Sequence, residues 1–99
     1  MVIKRYIKFK DRVIGLMFKR KKIDYGICFP KCNSIHTFFM FQPIDVVMTD
    51  INHKILYIYP NFKPWKIILP KKNVYYTYEL PLGSCDNLKI NETFKKTKG

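Results

Sequence analysis

The sequence predicts a mainly β (α+β) domain, built as a small curved, barrel-like sheet of six or seven short strands with one or two short helices. Three observations predict it. Apolar and polar residues alternate with a period of two in short runs near both ends, Ile3 to Lys10 and Val74 to Leu80. Tight-turn signals separate the runs: Pro30, Gln42-Pro43, Asp50-Ile51-Asn52-His53 and Pro81 to Gly83. No internal repeat or linker divides the 99 residues, so a single domain spans 1–99.

Each element follows from its residues. Over 2–10, Ile3, Ile7 and Phe9 share one face and Lys4, Lys8 and Lys10 the other, as suits a sheet edge where lysines discourage stray pairing. Asp11 offers an N-cap for a short helix over 11–19. Gly15 inside it costs roughly 1 kcal/mol against Ala, which points to a close neighbour. The run 19–22, Lys-Arg-Lys-Lys, reads as a solvated loop. Gly26 to Phe29 forms a strand that Pro30 stops. Ile35 to Phe41 is apolar on both faces and reads as a strand buried on both. Ile44 to Thr49 follows, then a hairpin turn over Asp50 to His53 into Lys54–Tyr59. Pro60, Pro64 and Pro70 mark an extended, irregular section before the strand over Val74 to Leu80. Ser84 caps a second short helix, Cys-Asp-Asn-Leu-Lys, and the tail from Phe94 frays.

Composition narrows the class. Hydrophobic residues make up 47%, and eight Phe and seven Tyr supply large groups to bury. Each contributes roughly 1.5–3 kcal/mol, so folding needs neither metal nor disulfide. A net charge of +12 invites a polyanionic partner, nucleic acid or an anionic membrane surface. The opposing reading starts from the other biases. There is no alanine, Lys outnumbers Arg by 16 to 3, and Ile, Asn, Tyr and Phe are abundant. A/T-rich codons produce that pattern, and Lys is the poorer residue for bidentate recognition. This compositional reading leads. The odd count of Cys28, Cys32 and Cys85 argues against a disulfide framework. With no signal-peptide pattern and no run of ~20 apolar residues, a cytoplasmic protein with reduced thiols is expected. The charge favours a monomer.

Few residues invite chemistry. Cys28, Cys32 and His36 are spaced like ligands on one helix, but Pro30 breaks any helix there, so no metal or cofactor is expected. Cys32 and His36 could form a nucleophile pair oriented by Asp45, yet no oxyanion donors or glycine-rich elbow accompany them. Arg12 and Asp45 read first as a charge pair pinning helix to sheet, and second as a ligand grip. Glu79, ahead of a proline turn, has the same ambiguity. Aromatics from Tyr57 to Tyr78 interleave with Lys63, Lys66, Lys71 and Lys72, a pattern that base stacking would use, although a core with solvated lysines explains most of it. Trp65, between Pro64 and Lys66, is the aromatic most suited to line a groove.

Five segments in order carry a family resemblance. They are Arg12-Val13-Ile14-Gly15-Leu16-Met17, Ile35-His36-Thr37-Phe38-Phe39-Met40, Pro43-Ile44-Asp45-Val46-Val47 with Asp50, Pro64-Trp65, and Glu79-Leu80-Pro81-Leu82-Gly83. From about Arg12 to its end the chain resembles the family filed as domain of unknown function 192, small proteins of bacteria and archaea. One departure stands out: Met40-Phe41-Gln42-Pro43 replaces the pattern Met-Arg-Phe-Pro. The resemblance implies a compact, mostly β domain of bacterial type and implies no reaction. The expectation is therefore a non-enzymatic ligand- or partner-binding protein, with Arg12, His36, Asp45, Trp65 and Glu79 as its site. The alternatives are a nucleic-acid-binding module and, behind it, a Cys/His-dependent enzyme.

Overall fold

A computed structural model describes residues 1–7 and 15–95. Among them lie seven strands: β1 (Ile3–Arg5), β2 (Gly26–Pro30), β3 (Ile35–His36), β4 (Ile44–Thr49), β5 (Ile55–Phe62), β6 (Ile67–Ile68) and β7 (Tyr76–Leu80). Five form one sheet in the order β1-β2-β7-β4-β5, and β3 pairs with β6 in a separate two-stranded ribbon. Only β1 and β2 run parallel; the other pairs are antiparallel. The sheet is curved but not closed, because β1 and β5 remain at opposite edges. The barrel-like expectation holds to that extent.

Both faces of the sheet are buried, and strand parity assigns each residue to one of them. Ile27, Phe29, Ile44, Val46 and Met48 face a core that Leu16, Met40 and Ile68 complete. Cys28, Val47, Tyr78 and Leu80 face a second core, completed by Ile55, Cys85 and Phe94. The two-stranded ribbon and its neighbouring loops cover the first face, and the C-terminal segment covers the second. Gly26 stands at a close approach. A Cβ there would lie 2.7 Å from Leu80 Cδ2 and 3.3 Å from Ile3 Cγ1.

The hairpin turn forms where expected. The Asp50 carboxylate Oδ1 accepts from the N–H groups of Asn52 and Lys54, both at 2.9 Å, which replaces backbone partners through the turn. Pro60 lies within β5, at an edge and beside a register shift between Ile44 and Val46. A missing N–H costs least there.

Four expectations are corrected. The strand over Ile35–Phe41 ends at His36, and Phe38, Phe39 and Phe41 are exposed rather than buried on two faces. Residues 84–89 form successive turns, not a helix: Ser84, Asp86 and Leu88 each donate to the carbonyl three residues back. The Cys85 N–H donates to the Asp45 carboxylate (3.1 Å), which ties these turns to β4. Of the expected helix over 11–19, positions 11–14 lie outside the described residues, and 15–18 are turn. The strand over 2–10 is limited to Ile3–Arg5, with 8–10 outside the description.

Candidate functional site

Among the described residues, the first core face holds one buried charged side chain; Lys4, in register with Ile27, shares that face but is exposed. Glu79 sits on the central strand β7, opposite Ile27 of β2 and Val46 of β4, both fully buried. Its carboxyl, in a residue only 5% exposed, helps to line a cavity of about 120 Å³. The walls are Leu16, Phe29, Ile35 and Met40, with Cys32, Ser34 and His36 toward the mouth. Burial pushes its pKa up to about 8. At neutral pH Glu79 is therefore mostly a carboxylic acid, able to donate as well as accept.

Asp45 is placed quite differently. It is one residue out of phase with Val46, so it points to the second core face, away from Glu79. Its Oδ1 accepts from the Asn61 N–H (2.9 Å), and its Oδ2 accepts from the N–H and the thiol of Cys85, each at 3.1 Å. Backbone amides and a thiol, rather than a cation, surround it among the described residues. Burial, the bond to Asp45 and the nearby carboxylates push Cys85 up to about 12, so its thiol keeps the proton it donates. Arg12, the expected partner of Asp45, lies outside the described residues.

The Cys–His arrangement also comes apart. The Cys32 thiol donates to the Ser34 carbonyl (3.1 Å), and His36 Nδ1 accepts the Phe38 N–H (3.3 Å). Asp45, on the other face, cannot orient His36. Cys28 faces the second core while Cys32 packs against the first, so these thiols do not converge. No group of three or more potential metal ligands occurs among the described residues.

Beside the cavity mouth lies an exposed aromatic ledge. His36 stacks on Phe38 (ring centroids 4.9 Å apart), Phe38 on Trp65 (6.1 Å), and Phe39 meets Trp65 edge-on (4.9 Å). Phe18 extends the row to Phe39 and Phe41, and the Arg20 guanidinium lies 4.5 Å over the Phe41 ring. Phe41 stands where the family pattern has arginine, so a cation reaches that spot from another segment. Phe18, Phe39 and Trp65 have φ of 65°, 64° and 63°. Bulky residues rarely adopt that left-handed conformation, which costs roughly 1–2 kcal/mol each.

Thr37 holds the strained segments. Fully buried, its hydroxyl donates to the Lys63 carbonyl (2.7 Å) and accepts from the Lys66 N–H (2.9 Å). Its backbone adds the Trp65 N–H to Thr37 carbonyl bond (2.9 Å). Gln42 anchors the basic loop, donating to the carbonyls of Lys19 and Lys21 and accepting the Ile23 N–H.

The structure thus brings Glu79 and His36 to one cavity, links His36 to Trp65 through Phe38, and leaves Asp45 apart. Sequence reasoning missed Thr37 and Gln42. Neither carries a charge or a motif that marks it, although each sits inside a run that had to turn.

Comparisons with known proteins agree on the family. A profile for DUF192, described as uncharacterised, matches residues 3–95. A UPF0127 protein of Pyrococcus horikoshii is 36% identical over 85 residues, 82% of this chain and 73% of that protein. A UPF0127 protein of Thermococcus sibiricus is 38% identical over 81% of this chain and 54% of its own length. The chain spans little more than half of that relative. These sequence relatives are archaeal and give no support to a bacterial source. Among solved structures, a protein of unknown function from Novosphingobium aromaticivorans superposes with a TM-score of 0.75 at 18% identity, over 95% of this chain and 72% of that one. A Sinorhizobium meliloti protein, described as a candidate transcription regulator, gives 0.75 at 21% identity, over 90% and 76%. At these identities the two structures share the fold.

Proposed function

The chain belongs to the uncharacterised DUF192 family, and within it we propose a non-enzymatic binding domain that takes a small neutral ligand in the cavity over Glu79. One observation carries the reading: a buried carboxyl helps to line a largely apolar pocket. Such a group is costly to bury and gains from a partner that both donates and accepts. A protonated carboxyl pairs in this way with a carboxamide. An apolar cavity of about 150 Å³ accommodates benzene, so a guest of a few heavy atoms suits this one. His36 guards the mouth, and Cys32 is committed to Ser34 rather than to a catalytic pair.

The test is an NMR titration with isobutyramide and related small carboxamides at pH 6. Saturable shifts confined to Leu16, Phe29, Met40 and His36, and abolished by Glu79→Leu in a folded variant, are expected. Absence of saturable shifts in the wild type at millimolar ligand overturns the reading. The +12 charge would favour a nucleic-acid module instead only if lysines lay beside free aromatic faces. Around Trp65 the rings of His36, Phe38 and Trp65 stack on one another, which leaves fewer faces for bases.

A further inference from the structure

We propose that the aromatic ledge beside the cavity is a docking surface for anionic lipid bilayers. The inference is independent of what the cavity binds. Three observations converge on it. The first is exposure: Phe18 is 60% exposed, Phe39 and Phe41 are 45% and Trp65 is 57%, in one connected row. Ile67, paired across the ribbon with His36 and 57% exposed, widens the row with an aliphatic group. Contiguous apolar surface of this kind marks an interaction site more often than an accident of composition.

The second is strain. Of the described non-glycine residues with positive φ, three are the aromatic residues Phe18, Phe39 and Trp65. A backbone relaxed for stability would carry Gly or Asn at such positions. Instead the buried Thr37 and the Phe18 N–H to Phe39 carbonyl bond (2.9 Å) pin the strained backbone so that large rings stand in solvent. Strain held by such a framework is characteristic of functional surface.

The third is charge. Lys19, Arg20, Lys21 and Lys22 follow Phe18 directly, Lys63 and Lys66 bracket Trp65, and all six are exposed. The segments 18–22, 36–42 and 61–70 contain no acidic residue. Exposed cations on the segments that carry the apolar row complement an anionic headgroup layer, with the rings inserted at the level where Trp and other aromatics collect in bilayers. Ring orientation decides against nucleic acid. Bases need free aromatic faces, whereas His36, Phe38 and Trp65 stack face to face and Ile67 has no face to offer. Edges and aliphatic groups partition readily into the acyl boundary.

Trp65 is the chain's only tryptophan and sits in the ledge, so it reports directly. The full chain is mixed with vesicles of phosphatidylcholine and phosphatidylglycerol, or of phosphatidylcholine alone, at low and at near-physiological salt. With the anionic vesicles, emission should shift to the blue and be quenched by lipids brominated on their acyl chains. Neutral vesicles should do neither. Phe39→Gly removes one ring and relieves its positive φ, so it should fold and lose vesicle binding; Lys63→Gln with Lys66→Gln should lose the salt-sensitive part. Unchanged emission with anionic vesicles at both salts overturns the proposal, as does equal response to neutral ones. Quenching by oligothymidylate without a vesicle response assigns the ledge to nucleic acid instead. A concentration-dependent shift in protein alone, with a dimer in sedimentation, assigns it to self-association.

Discussion

Replacing Glu79 by Gln should remove a large pH dependence from the stability of this domain. In the unfolded chain the acid has its ordinary pKa of 4.5, and in the fold burial raises it to about 8. Between those values the folded state holds a proton that the unfolded state has released. Stability therefore declines as pH rises through this window, is fully retained below 4.5, and is lost above 8. Each pH unit of separation is worth about 1.4 kcal/mol, which makes the ionised group roughly 3–5 kcal/mol less favourable than the neutral one. Against a total of roughly 5–15 kcal/mol for a domain, that loss is substantial. Urea unfolding at pH 5, 7 and 9, for the wild type and Glu79→Gln, gives the difference directly. The variant should match the wild type within about 1 kcal/mol at pH 5 and exceed it by roughly 3 or more at pH 9. Parallel curves would refute the reasoning. A wild type that gains stability with pH relative to the variant would mean that a cation meets the carboxylate.

Two further outcomes are expected. Thr37→Val keeps the shape but strands the Lys66 N–H and the Lys63 carbonyl, so urea unfolding should show a loss of about 2–4 kcal/mol from two buried bonds; a loss below about 1 would show that the ribbon does not depend on this hydroxyl. Iodoacetamide at pH 7.5 should label the half-buried Cys32 and spare Cys28 and Cys85 until the chain unfolds, as mass spectrometry of the digest will show. Rapid labelling of Cys85 in the folded protein would contradict its burial against Asp45.

The strands were legible where one face or a turn left a signature. Gly26 to Pro30, Ile44 to Thr49 and the Asp50 hairpin follow from alternation and from side chains that suit a turn. Phe38 to Phe41 misled because burial is the ordinary destination of a phenylalanine run, and nothing in the residue names reports a positive φ. The turns at Ser84–Leu88 resemble a capped helix in sequence, and the bond that holds them, from the Cys85 amide to Asp45 forty residues earlier, leaves no local signal. Asp45 and Glu79 look alike in sequence, each an acid beside apolar neighbours. Their separation to opposite faces depends on the register of β4 against β7, which neither segment encodes alone.

The strand order has a consequence for how the chain can be made. β2 pairs only with the short parallel β1 and with β7, whose first residue is Tyr76. The first core therefore lacks its middle strand until most of the chain exists. Pairing over so long a loop is slow, whereas the β4–β5 hairpin closes locally. Pulse-labelled hydrogen exchange during refolding should protect Val46 to Met48 before Ile27 to Phe29; the reverse order would contradict this route. On the ribosome, β2 waits for β7 to emerge before it joins the sheet that β4 and β5 begin.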